Sequence, residues 1–178
     1  YTGNLLQYFD PDTEVTTPDG VLLELFRKLP GDLSILNPSP AEDKDTVAVT
    51  SETAQRWNLT TIGDLAEHSA EVKFGGPSEF INRAEGLPGL KANYGLDIPR
   101  SNFVAISDGG GPATVRALTD GTVTAANIFS TSPAIEENDL VVLEDPKNNF
   151  LAANVIPLVS SQKKSDELKT VLDAVSAE

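Results

Sequence analysis

The sequence predicts an α/β fold with mainly parallel sheets flanked by helices. Short β-branched runs such as Thr46-Val47-Ala48-Val49-Thr50 alternate with segments whose apolar residues recur three and four positions apart. Thirteen Gly and twelve Pro punctuate the boundaries between these segments. A hydrophobic share of 39% in 178 residues is enough to build one large core or two small ones.

Residues 1–30 read as two helices with a break. Leu5, Leu6, Tyr8 and Phe9 cluster before Asp10-Pro11-Asp12. Thr17-Pro18-Asp19 then opens a helix with Pro in its first turn, Val21, Leu22, Leu25, Phe26 and Leu29 line one face, and Pro30-Gly31 ends it. Leu33 and Ile35 mark a short strand, and the polar, Pro-bearing stretch 38–45 reads as a crossing or linker. Thr46–Thr50 is a strand by β-branching, and Ser51 is the expected cap of a helix over Glu52–Trp57. Thr61 with Asp64 three residues on forms a capping-box pattern. Val72-Lys73-Phe74 reads as a strand running into Gly75-Gly76-Pro77. A short helix over Glu79–Arg83, a turn at Gly86-Leu87-Pro88-Gly89 and a helix over Leu90–Tyr94 closed by Gly95 follow. Asn102–Ile106 is a strand that meets Asp108-Gly109-Gly110-Gly111-Pro112 and then a helix of about eight residues through Leu118. Val123–Phe129 and Leu140–Leu143 are strands, and the apolar segment 150–159 is expected to be a buried one. Ser165–Val175 is an amphipathic helix with Leu168, Val171, Leu172 and Val175 on one face.

Composition excludes several functions. Against 27 Asp and Glu stand 13 Lys and Arg, a net charge of −14, which opposes binding to nucleic-acid phosphates and to anionic lipid. The lack of Cys removes disulfides, thiolate metal sites and cysteine nucleophiles. A single histidine, His68, removes multi-histidine metal sites and leaves little for a Ser-His-Asp triad. No apolar run is long enough to span a bilayer. No acid–base pair stands out, so an enzyme is not expected, nor is a cofactor. The chain opens on Tyr1, so it is expected to be a processed or excised part of a longer polypeptide.

Few residues suggest chemistry by themselves. The glycine run 109–111 before a helix reads either as a tight turn or as a loop whose free N–H groups hold a carboxylate or phosphate. It has neither the Lys-Ser/Thr of a nucleotide-binding loop nor the spacing of a dinucleotide fingerprint. Arg83 reads either as a cation paired with Glu79 or Glu85, or as a fork for a ligand carboxylate. His68 fits a surface or capping role at a helix end, Trp57 and Phe80 fit core packing, and Glu42-Asp43-Lys44-Asp45 fits a solvated hinge.

Four stretches resemble the substrate-binding proteins of ABC importers for osmoprotectants of the glycine betaine, choline and carnitine type. They are Tyr1-Thr2-Gly3; Lys73–Arg83 with Gly86–Leu90 and Tyr94-Gly95-Leu96; Phe129–Ser132 with Ile135 and Leu140–Asp145; and Asn149-Phe150 through Pro157. The resemblance implies a two-lobe architecture of the type II periplasmic-binding-protein kind, with ligand held between lobes. It implies that 1–42 and 155–178 are a partial lobe one and 43–154 is lobe two. On this reading the family's opening βαβ segment precedes Tyr1 and a short helical tail follows Glu178.

The resemblance also implies the site. In the family, tyrosine rings surround a quaternary ammonium and polar donors take a carboxylate. Carried over by position, the ligand residues are Tyr1, Asn4, Thr46, Arg83, Phe129, Thr131 and Asn154, with Arg83 on the carboxylate. Phe129 keeps a cage ring without its hydroxyl, while Val47 and Ala153 stand where two further cage tyrosines are expected. The implied function is the extracytoplasmic solute-binding component of an ABC importer, in the periplasm or at the cell surface with or without a lipid anchor. Its partners would be a small osmolyte and a membrane permease. The alternative is a binding protein of the same fold for a different polar small molecule, because two of four cage tyrosines are absent. In that case Glu42, Asp43 and Asp45 are a candidate source of negative charge for a cation.

Overall fold

A computed structural model describes residues 1–11, 13 and 15–178. Asp12, in the expected break after the first helix, lies outside the described residues. The chain divides into two compact units, one formed by Tyr1–Lys44 with Leu151–Glu178 and one by Asp45–Phe150.

In the first unit, α1 (Thr2–Phe9) and α2 (Pro18–Lys28) pack through Leu6, Val21 and Leu25, with Ile35 completing a small core. Pro18 opens α2 because its fixed φ suits the first turn, where no N–H is needed. Strands β1 (Leu33–Ile35) and β7 (Leu158–Ser160) pair antiparallel. A turn of 3-10 helix (Ser161–Lys163) leads to α8 (Asp166–Ser176), capped by the Ser165 hydroxyl accepting from Leu168 N–H. The apolar face expected on α8 forms but is not buried: Val171 is 56% and Val175 68% exposed. Its recorded tie to the rest of the unit is polar, Asn37 N–H donating to Asp173 at 3.0 Å.

The segment 150–159 does not become a buried strand. Only Leu158 and Val159 of this run enter β7, and residues 152–155 instead bond to loop and helix-start groups of the first unit. Ala153 N–H donates to the Glu42 carboxylate at 3.0 Å, and Asn154 forms an isolated bridge with Glu42. The residues are apolar, but 153–157 exchange backbone hydrogen bonds with 36–43 without forming a regular ladder, so periodicity alone misreads them.

The second unit holds a five-stranded sheet in the order β4-β3-β5-β2-β6: β2 (Asp45–Thr50), β3 (Phe74–Gly76), β4 (Phe103–Ala105), β5 (Ala125–Phe129) and β6 (Leu140–Val142). It is mixed, where mainly parallel pairing was expected. β3 pairs parallel with β4 and β5, whereas β2 pairs antiparallel with β5 and β6. Helices connect the strands. One α-helix lies between β3 and β4 (α5, Leu87–Tyr94), between β4 and β5 (α6, Pro112–Thr119) and between β5 and β6 (α7, Ala134–Glu137). Two lie between β2 and β3 (α3, Ser51–Trp57, and α4, Ile62–Ala66). β6 pairs antiparallel with β2 just as β5 does, so β6 runs in the same direction as β5. β2 alone therefore opposes the others, and by inserting between β5 and β6 it makes both its own ladders antiparallel.

Alternation along the strands fills both faces. Val47, Val49 and Ala125 join Phe74, Phe80, Leu90 and Phe150 on one side, while Ala48, Ala126 and Ile128 join Val115 and Leu118 on the other. Phe74 and Phe80 stack at 5.3 Å, so Phe80 is core as expected.

Several boundaries move for local reasons. Thr50, not Ser51, caps α3: its hydroxyl accepts from Thr53 N–H, and the Ser51 hydroxyl donates to Asp139 O at 2.6 Å. β3 begins at Phe74, two residues later than expected, because Lys73 N–H is taken by the Thr124 hydroxyl. Leu87-Pro88-Gly89 is the first turn of α5 rather than a separate turn, with Pro88 again tolerated at a helix start. The helix expected over Glu79–Arg83 is a 3-10 turn over Ser78–Ile81, which leaves Arg83 in the following loop. The Thr61–Asp64 capping box forms in full, with Thr61 N–H donating to Asp64 at 2.7 Å. His68 follows α4 and stacks on Trp57 at 4.3 Å.

Candidate ligand site

In an open α/β sheet, ligands bind beyond the carboxyl ends of parallel strands. β3 ends at Gly76 and leads through the 3-10 turn to Arg83; β4 leads to the glycine run; β5 ends at Phe129. Since β3, β4 and β5 are parallel, these three segments emerge at the same end of the sheet. β2 runs the other way, so its first residue, Asp45, lies there too, opposite Phe129 in the register.

Arg83 is the centre of this end. Its Nη2 donates to Asp45 Oδ2 at 2.7 Å, and its Nε lies 3.6 Å from Glu85 Oε1. The guanidinium also rides over the Phe80 ring at 5.2 Å. Of the two expected carboxylate partners, Glu85 is present, while Glu79 hydrogen-bonds with Ser78. The closer partner is Asp45, which no local pattern indicated. Asp45 is held from behind by Asn127, whose amide donates to Asp45 Oδ1 at 2.9 Å and to Thr46 O at 3.2 Å. Asn127 is 3% exposed, one amide in the otherwise apolar strand Ala-Ala-Asn-Ile-Phe. That interruption is the sequence signal that could have found it.

Glu85 is fixed by a second network. The Asn149 amide donates to Glu85 O at 2.7 Å and its carbonyl accepts from Asn93 at 2.9 Å. Asp145 gathers the loop by accepting from Tyr94 Oη and from the N–H groups of Asn149 and Phe150. Burial, then the hydrogen bond to Asp145, push the Tyr94 phenol well above its ordinary value.

The glycine run is not an open anion site. Asp108 itself occupies the start of α6, accepting from Ala113 N–H at 2.6 Å, Thr114 N–H at 3.2 Å and the Thr114 hydroxyl at 2.6 Å. Burial disfavours its charge, but the hydrogen bonds from Thr114, Ala113 and Gly111 outweigh it and hold the carboxyl below the usual range. Gly110, at φ +76°, passes so close to β5 that a Cβ would sit 2.9 Å from Ile128 Cα. A cavity of about 480 Å³ opens beside α6, lined by Gly111, Pro112, Val115, Ser132 and Pro133 among others, but it includes neither Arg83 nor Phe129.

Of the expected ligand residues, Thr46, Arg83, Phe129 and Thr131 lie on the second unit. The first three converge at the end of the sheet just described. Thr46 is 6% exposed and its hydroxyl donates to Ile128 O at 2.6 Å, which fastens β2 to β5. Phe129 exposes 40% of its surface, and Thr131 is exposed in the turn that follows. Val47 is wholly buried in the core, so its position offers no ring surface to a ligand.

Tyr1, Asn4 and Asn154 lie on the first unit. The Tyr1-Thr2-Gly3 motif is stitched to 152–154: Thr2 N–H donates to Asn154 O, Asn154 N–H to the Thr2 hydroxyl, and Gly3 N–H to Ala152 O. A Cβ on Gly3 would lie 2.6 Å from that Ala152 oxygen, so the contact requires glycine. Tyr1 is 52% exposed, and its hydrogen bond with the Asp43 carboxylate, followed by that group's charge, raises the phenol above its ordinary value. Asn4 is exposed on α1, Asn154 donates its side-chain amide to Ser39 O at 3.2 Å, and Ala153 is 5% exposed.

The charged and aromatic cluster thus lies at the carboxyl edge of the sheet, where open α/β sheets hold small molecules. Residues 4–178 match the family described as the substrate binding domain of ABC-type glycine betaine transport systems, and the chain belongs to that family. It is 28% identical over 156 residues to the glycine betaine-binding protein YehZ of Escherichia coli K12, covering 83% of this chain and 51% of that protein. It is 29% identical over 127 residues to the ergothioneine transport permease/ergothioneine binding protein EgtU of Helicobacter pylori G27, covering 70% of this chain and 22% of that protein. Among solved structures, a glycine betaine/carnitine/choline ABC transporter protein superposes with a TM-score of 0.79 at 26% identity over 99% of this chain and 64% of its own. Apo YehZ superposes with a TM-score of 0.69 at 25% identity over 100% of this chain and 67% of its own. The chain thus spans about half of YehZ. The family is one of transport binding components, which capture a small molecule outside the membrane and work with a permease. Among the described residues no helix is long and apolar enough to cross a membrane.

Proposed function

We propose that this chain is part of the extracytoplasmic solute-binding component of an ABC importer, capturing an osmoprotectant of the glycine betaine or choline type for delivery to its permease. The supporting observation is the cluster at the sheet's carboxyl edge, where Asp45 accepts from the Arg83 guanidinium and pairs in register with the half-exposed Phe129. Phe129 offers an aromatic face to a quaternary ammonium and Arg83 a donor to a carboxylate or hydroxyl. Thr131 is a further polar contact in this proposal, and Thr46 holds the edge in shape. Tyr1, which hydrogen-bonds with Asp43, and Asn4 and Asn154 are the ligand residues proposed on the first unit. A place in the periplasm or at the cell surface, with or without a lipid anchor, is part of the same reading.

A second reading has a specific observation in its favour. Val47 and Ala153, at two expected cage positions, are 0% and 5% exposed, so neither leaves room for a ligand-facing ring. Each missing ring removes about 0.5–2 kcal/mol of cation affinity, and a more polar ligand on the same fold would not need it. Calorimetric titration of the full-length protein with glycine betaine, choline, carnitine, proline betaine, ergothioneine and an unrelated polar panel separates the two. Binding of a quaternary amine with loss in Arg83→Ala supports the first reading; binding only outside that group supports the second.

A further inference from the structure

We propose that Asp45 is a specificity-determining residue, which engages Arg83 and so selects ligands by their cationic end over their carboxylate. The inference rests on Arg83 being part of the ligand site and names what tunes it. Asp45 is a built acceptor rather than a passing partner. One oxygen takes Arg83 Nη2 at 2.7 Å, the other takes the buried Asn127 amide at 2.9 Å, and its backbone is fixed at the start of β2. Its side chain is 17% exposed and that of Arg83 29%, so the pair is only partly screened by water. The orientation comes from Asp45: Arg83 Nε is left buried with no hydrogen-bond partner, while Glu85 stands 3.6 Å away.

The local charge follows. The Arg83 guanidinium lies against two carboxylates, with Asp45 at 2.7 Å and Glu85 at 3.6 Å. A ligand carboxylate reaching Arg83 finds part of the fork occupied and meets the charge of Asp45 at close range, in a medium less screening than bulk water. A quaternary ammonium beside Phe129 meets the opposite field and is attracted. A cationic ligand without a carboxylate is therefore favoured over a zwitterion, and Asp45 is the group that sets the balance.

The test compares the full-length wild-type protein with Asp45→Asn and Asp45→Glu by calorimetry with choline and glycine betaine. Asp45→Asn is expected to shift the ratio of the two affinities toward glycine betaine by about tenfold, while Asp45→Glu keeps the wild-type ratio. An Asp45→Asn ratio within about twofold of wild type would overturn the proposal, because a purely structural role weakens both ligands alike. Asp45→Ser supplies a second uncharged variant if the asparagine one does not fold. Acetate titration, followed by the side-chain ¹⁵N resonance of Arg83, reads the same residue without the natural ligand. Acetate moving that resonance only in the uncharged variant supports the role of Asp45, and an equal response in both proteins overturns it. Should no quaternary amine bind any of the proteins, the osmoprotectant reading fails, and the acetate result still decides Asp45.

Discussion

Asp108→Ala should cost the second unit about 2–4 kcal/mol at neutral pH. Two losses add. The start of α6 loses its capping carboxylate, which accepts from Ala113 and Thr114 N–H groups, and a lost cap costs about 1 kcal/mol. The Thr114 hydroxyl, on a residue that is 0% exposed, loses its acceptor at 2.6 Å, and an unpaired buried hydroxyl costs about 1–3 kcal/mol. Asp108→Asn keeps an acceptor but loses the charge, and should cost about 1 kcal/mol. Urea unfolding followed by fluorescence of Trp57, the one tryptophan of the chain, reports on the unit that holds both residues. Because the Asp108 carboxyl is held below its ordinary value, its contribution is complete above the unfolded value of about 3.9 and is lost as pH falls through the lower folded value. The difference between wild type and Asp108→Asn should therefore be full at neutral pH and shrink in acid. Combining Asp108→Ala with Thr114→Val should cost less than the sum of the two single changes. A loss under about 0.5 kcal/mol at neutral pH, or an Asp108→Asn difference that persists unchanged below about pH 3, would refute the cap.

Gly110→Ala should destabilise by about 3 kcal/mol, since it combines a left-handed φ of +76° with a clash at 2.9 Å from Ile128 Cα. Gly109→Ala, at φ +63° with its nearest neighbour 3.9 Å away, should cost only about 1 kcal/mol, and equal losses in urea unfolding would contradict this placement of the loop. Tyr94→Phe should cost about 1–2 kcal/mol, by removing the hydroxyl that donates to Asp145 and accepts from Lys147 N–H at 2.8 Å. The raised phenol contributes stability that is complete below the unfolded value of about 10 and is lost as pH climbs toward the folded one. The gap between wild type and Tyr94→Phe should then narrow in alkali, and a gap constant to about pH 12 would contradict the buried neutral phenol.

Much of the architecture could be read from neighbours along the chain. Pro18 starts α2, Thr61 and Asp64 close a capping box, and Gly95 at φ +74° ends α5, because these are contests between groups a few residues apart. The position of Arg83 after Phe80 and before Glu85 was equally plain in sequence, as was the strand-to-helix turn at the glycine run. Local order also misled where a second group competed. Both Thr50 and Ser51 can cap α3, and only their backbone geometry selected Thr50. The run 150–157 is apolar enough for a strand, but its backbone bonds to 36–43 form no regular ladder.

What the amino-acid sequence determined by itself was the alternation of elements, many of their starts and stops, and the lack of any thiol or second histidine in this chain. These depend on residue type and short-range spacing. The tertiary structure alone decided the rest. β2 runs against its neighbours, which places Asp45 at the carboxyl edge of the sheet. Asp45 then met Arg83, 38 positions away, and Asn127, 82 positions away. The same folding took the glycine-loop amides for Asp108 and buried Val47. A hydrogen bond acts over about 3 Å of space regardless of distance along the chain, so the charge around Arg83 exists only once the sheet is assembled.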